Sequence, residues 1–122
     1  MKRIAVVDDE PDITNVLKKG LERNGFTVDT FNDPHVALAS FQPRHYDLVI
    51  IDIRMPRING FDLYRQLKKR DIDVKVCFLT AFQIYYEEFR MLFPKIDVKA
   101  FIRKPVSMSN LVNQINTAIA SK

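Results

Sequence analysis

The stretch Asp47-Leu48-Val49-Ile50-Ile51-Asp52 decides how this chain is read, because an unbroken apolar run of strand length stops there at a carboxylate and is followed by Ile53-Arg54-Met55-Pro56. Rich in Val and Ile and closed by Pro56, the run fits a strand buried on both faces of a parallel sheet. Asp52 then stands at the C-terminal tip of that strand. In open α/β sheets ligands bind outside the carboxyl ends of the strands, so a carboxylate at this position is placed for chemistry and not for packing.

Working outward, Lys2 to Val7 reads as a strand ending in Asp8-Asp9-Glu10, and Pro11 suits the first turn of the helix that follows. Ile13, Val16, Leu17, Gly20 and Leu21 mark one face of this helix up to the stop Asn24-Gly25. Phe26 to Phe31 alternates like a strand near a sheet edge, and Asn32-Asp33-Pro34 opens a second helix expected to bury Ala37, Leu38 and Phe41. Beyond the central run, Arg57-Ile58-Asn59-Gly60 is a turn, and Phe61, Tyr64 and Leu67 carry a third helix into Lys68-Lys69-Arg70. Asp73 to Thr80 is the fourth strand, 83–93 a fourth helix closed by Pro94, and Val98 to Ile102 a fifth strand leading into Arg103-Lys104-Pro105. Ser107 caps a fifth helix with the stripe Leu111, Val112, Ile115, Ala118 and Ile119. Five alternations of strand and helix predict a doubly wound α/β fold: a five-stranded parallel sheet with five helices spread over both faces.

The 122 residues, 47% hydrophobic and 28% charged, match one globular domain spanning 1–122. No secretory leader is expected after Met1-Lys2-Arg3, and no apolar stretch approaches the roughly 20 residues of a membrane span. A single cysteine, Cys77, excludes an internal disulfide and points to a reducing, cytoplasmic setting, with Cys77 itself inert in the core. The net charge of +4 is made of interspersed signs, which reads as solvated helix faces and not as a nucleic-acid surface. His35 and His45 flank the second helix and are expected to be solvated, while Met55 is expected to pack.

In this fold all strand tips face one edge, and they read Asp8 and Asp9, Asp52, Thr80 and Lys104. Two unit charges about 4 Å apart interact by about 4 kcal/mol at an effective dielectric near 20, so three converging carboxylates call for a cation. An oxygen-only site with room for water and phosphate suits Mg2+, and the Cys/His set that zinc prefers is missing from these tips.

These motifs in order, Asp8-Asp9, Asp52, Met55-Pro56, Gly60, Thr80-Ala81, Phe101 and Lys104-Pro105, resemble the receiver domain of two-component response regulators, the CheY-like fold. The resemblance covers the whole chain and implies a strand order of 2-1-3-4-5. It implies that Asp52 is the phosphoacceptor for a sensor histidine kinase or phosphotransfer protein, and that Asp9, Asp52 and the backbone carbonyl of Arg54 hold Mg2+ while Asp8 acts mostly through bound water. Lys104 is expected to pair with Asp52 and then with the phosphoryl group. Thr80, the N–H of Ala81 and Arg54 face that group, and Pro105 is expected to follow a cis peptide bond. Phe101 would answer Thr80 as a switch and alter a face made by the fourth helix, fifth strand and fifth helix, where a downstream protein docks. Ile84 and Met91 point outward on the fourth helix and suggest a partner or a second copy of the chain. Direct contact with nucleic acid or membrane is not expected, and neither is an output module after Lys122; a stand-alone regulator and a fragment of a longer one both stay open.

Rival readings are a phosphorylation-independent interaction module and an aspartyl-phosphate phosphatase. The phosphatase needs a second acid two residues after its nucleophile, whereas Arg54 stands there after Asp52. A flavin or nucleotide binder lacks a glycine-rich loop, since Gly20, Gly25 and Gly60 are scattered. The chain is therefore expected to be a signalling switch and not a turnover enzyme.

Overall fold

The computed structural model describes residues 2–53, 55–80 and 100–121, with the side chains of Thr80, Ala100 and Phe101 outside that description. Five strands, β1 (Arg3–Val7), β2 (Thr27–Phe31), β3 (Leu48–Asp52), β4 (Val76–Thr80) and β5 (Ala100–Arg103), form one parallel sheet in the order β2-β1-β3-β4-β5. Four helices are described: α1 (Pro11–Arg23), α2 (Pro34–Ser40), α3 (Gly60–Arg70) and α4 (Met108–Ala120). The expected helix over 83–93 lies outside the described residues.

Alternate side chains of each strand feed two cores. Val7, Val49, Ile51, Val76 and Phe78 face α2 and α3, where Phe78 meets Phe61 edge-on at 5.1 Å between ring centroids and packs against Tyr64. Val6, Ile50, Cys77, Leu79 and Ile102 face α1 and α4, against Leu17, Leu21, Leu111 and Ile115. Burial of each such side chain stabilises by about 1.5–3 kcal/mol, which holds the helices to both faces. Every residue of β3 is buried, as a central parallel strand requires.

Several boundaries differ from the sequence reading for identifiable reasons. Phe26 lies in the stop that follows α1 and not in β2: its N–H donates to the Leu21 carbonyl, the Gly25 N–H donates to the Glu22 carbonyl, and Gly25 adopts φ +89°, a left-handed helix stop that favours glycine. Asp73 and Val74 form a turn, because the Asp73 N–H donates to Asp71 Oδ1 and the Val74 N–H to the Asp71 carbonyl, so β4 starts at Val76. The buried stripe of α1 runs through Thr14, Leu17 and Leu21, and this rotation leaves Val16 64% exposed where it was expected in the core. Phe61 and Leu38 are partly buried, and Leu63 is fully buried in place of the expected Phe61. His35 is exposed as expected, while His45 is half-buried with its ring edge-on to Tyr46. Burial, and the hydrogen bond that the Tyr46 hydroxyl donates to Asp29 Oδ2 at 2.7 Å, hold that phenol above its ordinary range.

The remaining helix starts carry side-chain caps, those opening α2 and α4 as expected and the one at Asn59 within the expected turn. Asp33 Oδ1 accepts from the His35 N–H, Asn59 Oδ1 from the Asp62 N–H, and Ser107 Oγ from the Asn110 N–H. None of the described helices is long and apolar enough to cross a membrane.

Candidate functional site

Strand β1 delivers Asp8 directly after Val7, and its N–H extends the pairing to β2 by donating to the Phe31 carbonyl at 3.0 Å. The chain then turns, with the Glu10 N–H donating to Asp8 Oδ1 at 3.0 Å. On the neighbouring strand Asp52 ends β3, only 6% exposed, and Asp8 is 1% exposed. Such burial is costly for a charge unless a partner is at hand. The partner is Lys104, which follows β5 and lies across the sheet edge with Nζ 2.8 Å from Asp8 Oδ2 and 3.7 Å from Asp52 Oδ1. The Lys104–Pro105 peptide is cis, as expected. The lysine was expected to pair with Asp52; it bridges both acids and is nearer to Asp8, the more deeply buried of the two.

The backbone around Asp52 is closely held. Gly60, the first residue of α3, donates its N–H to the Ile53 carbonyl at 2.8 Å, and a Cβ at Gly60 would stand 2.5 Å from the Asp52 carbonyl oxygen and 2.8 Å from Ile53 Cα. Only glycine allows this approach of helix to strand end. Arg57, at φ +74° in the same loop, lies 3.5 Å from Asp33 in an exposed ion pair, which contributes little.

One carboxylate oxygen from each of Asp8, Asp9 and Glu10 can be chosen so that all three lie within 4.8 Å of one another. Among the described residues Lys104 is the ammonium that faces Asp8 and Asp52, with the carboxylates of Asp9 and Glu10 beside them, and an all-oxygen donor set of this kind fits Mg2+. Glu10 was not among the expected site residues, although it continues the acidic run. Two further residues escaped the sequence reading: the Asn32 side-chain amide donates to the Asp8 carbonyl and to Thr14 Oγ1, both at 2.9 Å, and Thr14 donates to the Pro11 carbonyl at 3.1 Å. Thr80 ends β4, one residue beyond Leu79, the partner of Asp52, and Phe101 pairs with Phe78 in the β4–β5 ladder. The expected roles of Arg54, Ala81, Ile84 and Met91 fall outside the described residues.

A model of the response regulator receiver domain matches residues 4–116. Response regulator SaeR of Staphylococcus aureus is 29% identical over 119 residues, 98% of this chain and 51% of SaeR, so the chain spans about half the length of the curated relatives it matches. Among solved structures, the non-phosphorylated HemR receiver domain of Leptospira biflexa superposes with a TM-score of 0.87 at 29% identity, covering 100% of this chain and 97% of that one. Response regulator TrrA of Thermotoga maritima, solved in complex with Mg2+-BeF, gives 0.80 at 33% identity, covering 97% of this chain and 99% of that one. Buried acids at the tips of β1 and β3, bridged by a lysine after β5 in a sheet of order 2-1-3-4-5, together with these likenesses, make the chain a member of the response regulator receiver domain family of two-component systems.

Proposed function

We propose that this chain is a cytoplasmic, Mg2+-dependent phosphoacceptor switch in which Asp52 takes a phosphoryl group from a phosphohistidine on a sensor histidine kinase or phosphotransfer protein. The observation that carries the reading is the ammonium shared by two buried carboxylates, Lys104 at 2.8 Å from Asp8 and 3.7 Å from Asp52. Two like charges around one cation form a poor structural ion pair but a good receptor for a phosphoryl group arriving with a divalent ion.

An Asp52 carboxylate oxygen attacks phosphorus in line, the P–N bond breaks with its electron pair returning to the imidazole, and an acyl phosphate remains on Asp52. The carboxylates of Asp9 and Asp52 and the backbone carbonyl of Arg54 would hold Mg2+, with Asp8 acting through bound water and Glu10 beside it; bound there, the ion supplies charge neutralisation for the transferring group. TrrA, solved with Mg2+-BeF, supports this assignment by likeness. Lys104 exchanges a carboxylate for a phosphoryl oxygen, and the Thr80 hydroxyl and the Ala81 N–H take others. Thr80 and Phe101 then pass the change to a face that takes in β5 and α4, where a downstream protein or a second copy docks. An apolar groove of about 390 Å³, lined by Ile13, Val16, Leu17, Pro105 and Val106, opens beside Lys104 and gives the phosphodonor a footing, which accounts for the exposure of Val16.

The test is intact-protein mass after incubation with acetyl phosphate, with and without Mg2+, beside Asp52→Ala. A single phosphoryl adduct that needs both Mg2+ and Asp52 is the expected result. No adduct, together with no binding of beryllofluoride, would leave a phosphorylation-independent interaction module.

A further inference from the structure

We infer that Asn32 is a positioning residue for the acidic turn, holding the carboxylates of Asp8, Asp9 and Glu10 in the arrangement that accepts a divalent cation; this rests on the functional reading above. The carbonyl that Asn32 grips belongs to the peptide joining Asp8 to Asp9. Fixing that peptide plane fixes the direction in which the side chains on either side of it leave the backbone.

The orientation of the amide is dictated by its partners. A carbonyl can only accept, and the Thr14 hydroxyl already donates to the Pro11 carbonyl, so both groups facing Asn32 offer lone pairs and the Asn32 nitrogen must face them. Both of its N–H bonds are thereby used. Thr14 is 1% exposed, so its oxygen has little other access to a donor. One side chain thus ties together the tip of β1, the first turn of α1 and the loop leaving β2, adding to the backbone bond from the Asp8 N–H to the Phe31 carbonyl. Its neutrality matters too, because it restrains a cluster of mutually repelling carboxylates without adding to their charge. Outer partners that orient metal-binding groups in this manner typically govern affinity by about 10–100-fold.

The experiment is calorimetric titration of the full chain with Mg2+, with thermal unfolding measured in the absence of the ion, for the unsubstituted protein and for Asn32→Leu, Asn32→Asp and Thr14→Val. Asn32→Leu keeps the size and removes both donors, and its Mg2+ affinity is expected to fall about 10-fold while unfolding stays cooperative. Asn32→Asp is the discriminating variant: it adds a negative charge, which on charge alone strengthens cation binding, yet the lost donor and the repulsion from the Asp8 carbonyl predict weaker binding. Thr14→Val loosens the same amide and is expected to weaken binding less, with the Asn32→Leu/Thr14→Val double variant no weaker than Asn32→Leu alone. Affinity within twofold of the unsubstituted protein in Asn32→Leu, or stronger binding in Asn32→Asp, would overturn the inference; if Asn32→Leu does not fold, Asn32→Asp and Thr14→Val decide it. Absence of Mg2+ binding in the unsubstituted protein would instead overturn the metal-site reading, and this inference with it.

Discussion

The two ends of the sheet use the same residue type in opposite ways. At the N-terminal end Asp47 Oδ2 accepts from the Arg3 N–H at 2.8 Å, and Asp71 accepts from the N–H groups of Arg44 and Asp73 at 2.9 and 3.0 Å. Those carboxylates are at least partly exposed and pin loops by satisfying backbone amides. At the C-terminal end Asp8 and Asp52 are buried and turn toward one ammonium. The first arrangement lowers the energy of the folded chain, whereas the second crowds like charges where apolar residues would be more stable. A sheet edge that keeps such an arrangement is committed to binding, and stability is the quantity it gives up.

If the two ends differ in this way, Lys104→Met should have the largest effect. It removes the ammonium that two buried carboxylates share and is expected to destabilise the metal-free protein by about 2–3 kcal/mol, near the lower end for breaking a buried pair because Lys104 keeps some exposure. Unfolding followed with and without Mg2+ checks this, since added Mg2+ should restore part of the loss; a loss the ion does not touch would break the comparison. Next comes Gly60→Ala, expected to cost about 2 kcal/mol because the new Cβ meets immovable backbone at Asp52 and Ile53. Gly20→Ala is its control, since there the Cβ meets only the flexible end of Met108 and helix propensity gains up to about 1 kcal/mol; denaturant midpoints should separate the two. The smallest effects have opposite signs. Asp47→Ala is expected to destabilise by about 1 kcal/mol through its lost amide partner, while Asp52→Asn is expected to stabilise the metal-free protein by roughly 1 kcal/mol through relief of repulsion. Equal signs in chemical denaturation would show that the two ends are not different in kind.

Much of the site was legible because its residues sit where local patterns end. The run Leu48 to Ile51 announces a central strand, and the first charge after it marks the tip; Asp8 follows from the same rule applied to β1, whereas Lys104, the second charge after the apolar part of β5, is marked out by the proline that follows it. Val16 and Asn32 were not legible. Periodicity placed Val16 on the apolar face of α1, but which side of a broad stripe turns inward depends on what the sheet and α4 offer, and the core took Thr14 instead. Asn32 reads as an ordinary residue before a helix cap, because its partners are not its neighbours in sequence.

Alternation of strand and helix, the helix stop at Asn24-Gly25, the caps at Asp33 and Ser107 and the acids at strand tips are properties of short segments and can be read from the residues alone. That Lys104 comes nearer to Asp8 than to Asp52, and that Asn32 grips the peptide between Asp8 and Asp9 just after β1, follows from the packed fold. The reason is physical separation along the chain: Asn32 and Asp8 are 24 residues apart and Lys104 and Asp8 are 96 apart. Their distances are set by crossover packing and strand order, and side-chain hydrogen bonds follow from where those elements come to rest.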